Sequence, residues 1–112
     1  MGKHYLLNLY GCPFDKLDNY LFLIELLENA AAASGATVCE TIYKQFEPQG
    51  VTVLSLLSES HISIHTWPEK GMAVCDAFTC GDHTTPEKGV EYMQKMLEST
   101  DIIMNEFIRP LE

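Results

Sequence analysis

The sequence is poor in basic residues: 7 Lys and Arg stand against 16 Asp and Glu, for a formal charge of −9. No basic run or basic helix face occurs, so the electrostatic footprint of a nucleic-acid binder is missing and no nucleic-acid partner is expected. No apolar stretch approaches the ~20 residues of a membrane-spanning helix, so no membrane partner is expected either. The N-terminal MGKHYLLNLYGCPFD lacks the apolar core of a secretory signal, and its sixth position lacks the Ser or Thr of a myristoylation signal. The four cysteines, Cys12, Cys39, Cys75 and Cys80, form no CxxC pair, and a reduced, cytoplasmic protein is the expectation. Neither G-x-G-x-x-G nor G-x-x-x-x-G-K-[ST] is present, which removes the phosphate-cradling loops of nucleotide folds. No G-x-S-x-G elbow marks a serine hydrolase.

What is present fits one domain over residues 1–112, because a chain of this length has little room for two cores. His4 to Tyr10 reads as a strand that Gly11-Cys12-Pro13 ends. From Asp15 to about Ala33, Leu17, Leu21, Ile24, Leu27 and Ala31 recur at helical steps, up to a stop at Ser34-Gly35. Ala36 to Phe46 and Val51 to Ser58 are β-rich runs separated by Glu47-Pro48-Gln49-Gly50, and His61 to Trp67 and Met72 to Cys80 continue the meander. Thr84-Thr85-Pro86-Glu87 signals a helix start with hydroxyl caps, and that helix runs to about Ser99 with Val90, Met93 and Leu97 on one face. Ile102 to Ile108 supplies a last strand. The order β-α-β-β-β-β-α-β predicts an α+β fold, a two-layer sandwich of a mostly antiparallel sheet with two helices on one face.

The run Ser58-Glu59-Ser60-His61-Ile62-Ser63-Ile64-His65-Thr66-Trp67-Pro68-Glu69 stands out, although on residue type alone two histidines on a strand face are more often ordinary half-exposed residues and Trp67 a packing residue. Alternation puts His61, Ser63, His65 and Trp67 on one strand face and Ile62 and Ile64 on the other. Burying the isoleucines under the helices turns the polar face towards solvent, a partner subunit or a ligand, and spacing alone does not choose among these. His61, His65, Cys80 and His83 could be assembled into a zinc set, but the spacing matches no standard finger or knuckle, and no metal site is expected. On residue type alone, Cys12, Cys39, Cys75 and Cys80 read as small buried hydrophobes.

This run, followed by Phe78-Thr79-Cys80-Gly81-Asp82, resembles the signature of the prokaryotic S-adenosylmethionine decarboxylases of the short, single-domain class. The resemblance extends from Gly2 to about Phe107 and includes Asp18-Asn19, Ser34-Gly35-Ala36-Thr37 and Gly50-Val51. It implies a pyruvoyl-dependent enzyme that cleaves itself at Glu59-Ser60 into residues 1–59 (beta chain) and 60–112 (alpha chain). The serine becomes the covalent pyruvoyl cofactor, which forms a Schiff base with the substrate amine and takes up the electrons left as carbon dioxide departs.

By the same resemblance His65 is the proton acceptor in processing, a task that suits imidazole. Cys80 is the proton donor in catalysis and also assists processing. Thr52, where the family often has Ser, supports the cut through its hydroxyl, with χ1 restricted by the added methyl. Phe46 and Trp67 stack the adenine of S-adenosylmethionine, and Glu69 binds the ribose hydroxyls. The implied product is the aminopropyl donor for spermidine synthesis, and the implied assembly is a homodimer of processed protomers that forms a larger sandwich with helices outside. The alternatives are a pyruvoyl-dependent decarboxylase of ornithine or arginine, and a non-catalytic partner subunit.

Overall fold

The computed structural model describes residues 1–111. Nine-residue β1 (Gly2–Tyr10) is followed by a single turn of helix, α1 (Phe14–Leu17), and by α2 (Tyr20–Ala33). Then come β2 (Val38–Gln45), β3 (Val51–Leu57), β4 (Ser60–Trp67), a short 3-10 turn at Pro68–Lys70, β5 (Met72–Cys80), α3 (Pro86–Met96) and β6 (Asp101–Arg109). The strands form one antiparallel sheet in the order β2-β3-β4-β5-β1-β6. This is the expected two-layer sandwich with the long helices on one face.

Strand alternation builds the core. Tyr5, Leu7 and Leu9 of β1, Val51, Val53 and Leu57 of β3, Ile62 and Ile64 of β4, and Ala73, Cys75 and Ala77 of β5 are buried on the helix side. They meet Leu23, Leu26, Leu27, Ala30 and Ala31 of α2 and Val90 and Met93 of α3. Removing these side chains from water is the main stabilising term, on the order of 1.5–3 kcal/mol for each large aliphatic group.

Three local expectations are corrected. The first helix does not run unbroken from Asp15, because Asn19 turns extended and caps a new helix, its Oδ1 accepting the Phe22 N–H at 3.1 Å. The restart moves the buried stripe to Leu23, Leu27 and Ala30, and leaves Leu21 65 % exposed. At α3 the cap is Thr85 with no side-chain hydrogen bond, since the Thr84 hydroxyl turns back to the Gly81 carbonyl and Glu87 pairs with Lys3 at 3.0 Å. Cys39 is exposed at the irregularity between Val38 and Glu40, whereas Cys12 and Cys75 are buried as expected.

Among the described residues no helix covers the other sheet face. His4, Leu6 and Asn8 of β1, Leu54 and Leu56 of β3, His61, Ser63, His65 and Trp67 of β4, and Ile103 and Phe107 of β6 share it by register. Leu56 is 54 % exposed, Ile103 56 % and Phe107 52 %, so large apolar groups lie uncovered on this face of the protomer. Among the described residues no helix is long and apolar enough to cross a membrane.

Candidate active site

Strand β3 turns directly into β4 through Ser58 and Glu59, Leu57 pairing with Ser60 across a two-residue turn. Two-residue hairpins need positive φ, which Gly or Asn normally supplies. Here neither central residue is Gly or Asn and neither has positive φ; the positive φ instead belongs to Ser60, the first residue of β4, at 148°. A non-glycine residue in such a region costs on the order of 1–3 kcal/mol and persists only where neighbours hold it.

The end of β5 is the holder. The Cys80 backbone N–H donates to the Glu59 carbonyl oxygen at 3.1 Å, and the Cys80 thiol donates to the same oxygen at 2.9 Å. With the thiol proton directed there, Sγ is left to accept from the Ser60 hydroxyl, 3.5 Å away. The carbonyl of the Glu59-Ser60 bond is thus polarised by two donors, while the hydroxyl that can attack it sits beside them. Donors aimed at an oxygen where negative charge would develop are the arrangement that stabilises an acyl-transfer intermediate.

The Glu59 side chain is anchored too. Its Oε1 accepts the Thr37 N–H at 3.0 Å and its Oε2 accepts the His83 Nε2–H at 2.6 Å. The hydrogen bond from His83 and then the Thr37 amide hold the Glu59 carboxyl below the ordinary carboxylate range.

A second group of candidate residues assembles at the opposite end of β4. Phe46, Thr52, His65, Trp67 and Glu69 line one cavity of about 440 Å³, completed by the Pro48-Gln49-Gly50 turn and Thr66. The Thr52 hydroxyl and His65 Nδ1 share a hydrogen bond of 2.9 Å across β3 and β4. Asp18 fixes the wall, its Oδ1 accepting the Gly50 N–H at 2.9 Å and the Gln45 amide at 3.1 Å. The buried Thr66 hydroxyl accepts the Val51 N–H and donates to the Leu17 carbonyl, locking the strand ends beneath.

The two groups do not meet within one protomer. Five residues of extended strand separate Ser60 from His65, which is about 16 Å at the usual rise. The polar face of β4 is also less uniform than its alternation suggests. His65 and Trp67 are exposed, but His61 donates from Nε2 to Asp76 Oδ2 at 3.0 Å and Ser63 donates to Asp76 Oδ1. His4 donates to the same Asp76 Oδ2 at 2.8 Å.

The quartet His61, His65, Cys80 and His83 is therefore not brought together. Each turns to a different partner: Asp76, Thr52, the Glu59 carbonyl and the Glu59 carboxylate. Among the described residues, His4, His61 and Asp76 are grouped closely enough to hold an ion, and their ligand atoms already hydrogen-bond one another. Reading from sequence did not find Asp76, although a lone acid inside the apolar strand MAVCDAFTC was the available signal. For Thr37 there was none, because its contribution is a backbone amide.

A family model described as S-adenosylmethionine decarboxylase matches residues 3–110. The S-adenosylmethionine decarboxylase proenzyme of Synechococcus sp. is 50 % identical over 109 residues, covering 97 % of this chain and 85 % of that protein. The proenzyme of the same description from Methanococcus maripaludis is 48 % identical over 106 residues, covering 92 % and 86 %. Among solved structures, the adenosylmethionine decarboxylase of Aquifex aeolicus is similar at a TM-score of 0.90 and 39 % identity, over 100 % of this chain and 95 % of that one.

Proposed function

The chain belongs to the S-adenosylmethionine decarboxylase family, and from that premise we propose that it decarboxylates S-adenosylmethionine after cutting its own backbone between Glu59 and Ser60. The product is the aminopropyl donor of spermidine synthesis. The observation that carries the proposal is the pair of hydrogen bonds from Cys80 to the Glu59 carbonyl, 3.1 Å from N and 2.9 Å from Sγ, beside a serine held at φ 148°.

The cut begins when Ser60 Oγ adds to the Glu59 carbonyl carbon, with the two Cys80 donors facing the oxyanion. The C–N bond breaks, the hydroxyl proton passes to the nitrogen, and an ester joins the two halves. Loss of the Ser60 α-proton then expels the Glu59 carboxylate, for which Ser has a β-oxygen and Ala would not. The dehydroalanine left at position 60 takes up water and releases ammonia, leaving the pyruvoyl group at the head of residues 60–112 and a free carboxylate on residues 1–59. The residues present fit such a group, because the strained carbonyl, its donors and the attacking hydroxyl converge at this one bond.

A pyruvoyl group at position 60 would supply the electron sink that decarboxylation of an amino acid needs. Cys80 delivers the replacing proton to the α-carbon. His65, oriented by Thr52, accepts and moves the proton of the elimination. Phe46 and Trp67 offer π faces to adenine, and Glu69 accepts hydrogen bonds from the ribose diol. Ornithine and arginine have no adenosyl group for these three side chains to hold, and a non-catalytic subunit would not need Glu59, Ser60, His65 and Cys80 together.

The active unit is a homodimer. Ser60 and Cys80 lie at one end of β4, while His65 and the nucleoside cavity lie at the other. A second copy laid across the open sheet face with its strands reversed sets each reactive end against its partner's cavity. That packing also covers Leu56, Ile103 and Phe107, which otherwise expose a broad apolar face to water. Because Cys80 acts as a free thiol, the reducing cytoplasm is the compartment in which the enzyme works.

Denaturing mass spectrometry of the purified protein tests the cut. Two fragments, 1–59 and 60–112, are expected, the second with a blocked N-terminus of pyruvoyl mass. A single intact chain under all conditions would rule out the self-made cofactor.

A further inference from the structure

Glu59 is held by more contacts than attack on its carbonyl requires. Its side chain is only 11 % exposed, and its two carboxylate oxygens are taken by donors from separate parts of the chain. Thr37 lies just before β2, and His83 lies in the turn between β5 and α3. Together with the two bonds from Cys80 to its carbonyl, Glu59 accepts four hydrogen bonds from three segments. The fold also makes room for the His83 ring. Gly81 adopts φ +103°, and a Cβ there would come within 2.9 Å of the ring's Cε1.

We propose that His83 is a positioning residue for self-cleavage: its Nε2–H, with the Thr37 amide, clamps the Glu59 carboxylate and so keeps the Glu59-Ser60 bond in its strained, attackable conformation. The inference rests on the reading that the chain cuts itself at this bond. His83 touches none of the reacting atoms. In the step it serves, the Ser60 Oγ to Glu59 carbon bond forms, the Glu59 carbon to Ser60 nitrogen bond breaks, and the hydroxyl proton goes to that nitrogen. No outside reactant enters. A residue at φ 148° relaxes unless its neighbours over-determine it. On the acyl side of the bond, the side-chain clamp is what prevents Glu59 from following such a relaxation, and a shift on the scale of an ångström at a reacting centre can cost about a hundredfold in rate.

The test follows pulse-labelled full-length chain, made by cell-free translation, on denaturing gels. Wild type, His83→Leu and His83→Gln are compared, each also being melted in the uncleavable Ser60→Ala background. His83→Leu is expected to cleave about ten- to a hundredfold more slowly. His83→Gln, whose amide can donate from a similar reach, is expected to recover most of that loss. Wild-type cleavage with His83→Leu at the wild-type rate would overturn the clamp while leaving the self-cleavage reading intact, and a wild-type chain that never cleaves would remove that reading itself. Slow cleavage in both variants, tracking an equal drop in melting temperature, would assign His83 a purely structural part and overturn the proposal as well.

Discussion

His61 Nε2–H donates to Asp76 Oδ2 at 3.0 Å, tying the residue that follows Ser60 to the neighbouring strand. Ser63 and His4 donate to the same carboxylate, so Asp76 links β1, β4 and β5 on the open sheet face. Arg109 stands behind, 3.4 Å from His4 Nδ1. Burial pushes the Asp76 carboxyl up, but the hydrogen bonds from Ser63, His4 and His61 outweigh it and hold the group below its ordinary 3.8.

The sign of the resulting pH dependence follows directly. A carboxyl whose folded value is depressed contributes its full stabilisation above its unfolded value and loses it as pH falls through the folded one. The window therefore lies below about pH 4. In urea unfolding, Asp76→Asn is expected to be about 1.5–3 kcal/mol less stable than wild type at pH 7, since hydrogen bonds to a charged group are removed. The gap should narrow as the buffer is taken to pH 3 and lower. A gap that widened on acidification would show that Asp76 is not the ionised acceptor described.

The separation of Ser60 from His65 along β4 makes a prediction about mixed dimers. His65→Ala and Cys80→Ala chains are each expected to cleave poorly alone. Co-expressed with different tags, they should give mixed dimers in which one of the two sites carries both intact residues, and cleavage should return in the Cys80-bearing chain. The measurement is fragment formation in each tagged chain after affinity selection. Failure of any mixture to cleave, with mixed dimers shown to form, would mean that each site draws its residues from one protomer.

Much of the fold was legible because alternation and helical spacing report burial directly. Ile62 and Ile64 against His65 and Trp67 gave the sheet its two faces, and the parity of Cys75 and Cys80 set one in the core and the other at the site. What was not legible depended on contacts distant in sequence. The break at Asn19 is a local cap inside an apolar run, and it moved the buried stripe away from Leu21. Asp76 on β5 gathers donors from β1 and β4, which no spacing rule anticipates. The strain at Ser60 lies in its φ of 148°, and only backbone geometry reveals it. The candidate site residues came from a motif, yet the motif does not say that they form two groups at opposite ends of one strand.

Trp67 is the only tryptophan in the chain, and it lines the cavity with Phe46 and Glu69. Its fluorescence therefore reports directly on that cavity. Titration with adenosine should quench it, and Phe46→Ala should weaken binding by about 1–3 kcal/mol, the usual worth of stacking one base on an aromatic ring, or roughly 5- to 150-fold. Glu69→Gln should weaken adenosine more than it weakens 2′,3′-dideoxyadenosine, because the dideoxy ligand offers no diol to the carboxylate. Ornithine and arginine should leave the fluorescence unchanged. Quenching by either amino acid at concentrations where adenosine has no effect would reverse the substrate assignment.

Cys80 makes two different hydrogen bonds to one oxygen, and substitution separates them. Cys80→Ala keeps the backbone N–H on the Glu59 carbonyl and loses the thiol donor. Losing one donor to a developing oxyanion typically costs about 10²- to 10³-fold, so cleavage should slow by that order without stopping. Cys80→Ser restores a side-chain donor and should cleave faster than the alanine variant. The two chemistries then diverge, because a serine hydroxyl is a far weaker acid than a thiol and is a poor proton donor to the substrate's α-carbon. Cys80→Ser, once cleaved, should therefore release carbon dioxide from S-adenosylmethionine slowly and accumulate chains inactivated by misplaced protonation, visible by mass as a changed N-terminus on residues 60–112. Equal cleavage rates in wild type and Cys80→Ala would show that the backbone amide alone suffices and would confine the thiol to the later step.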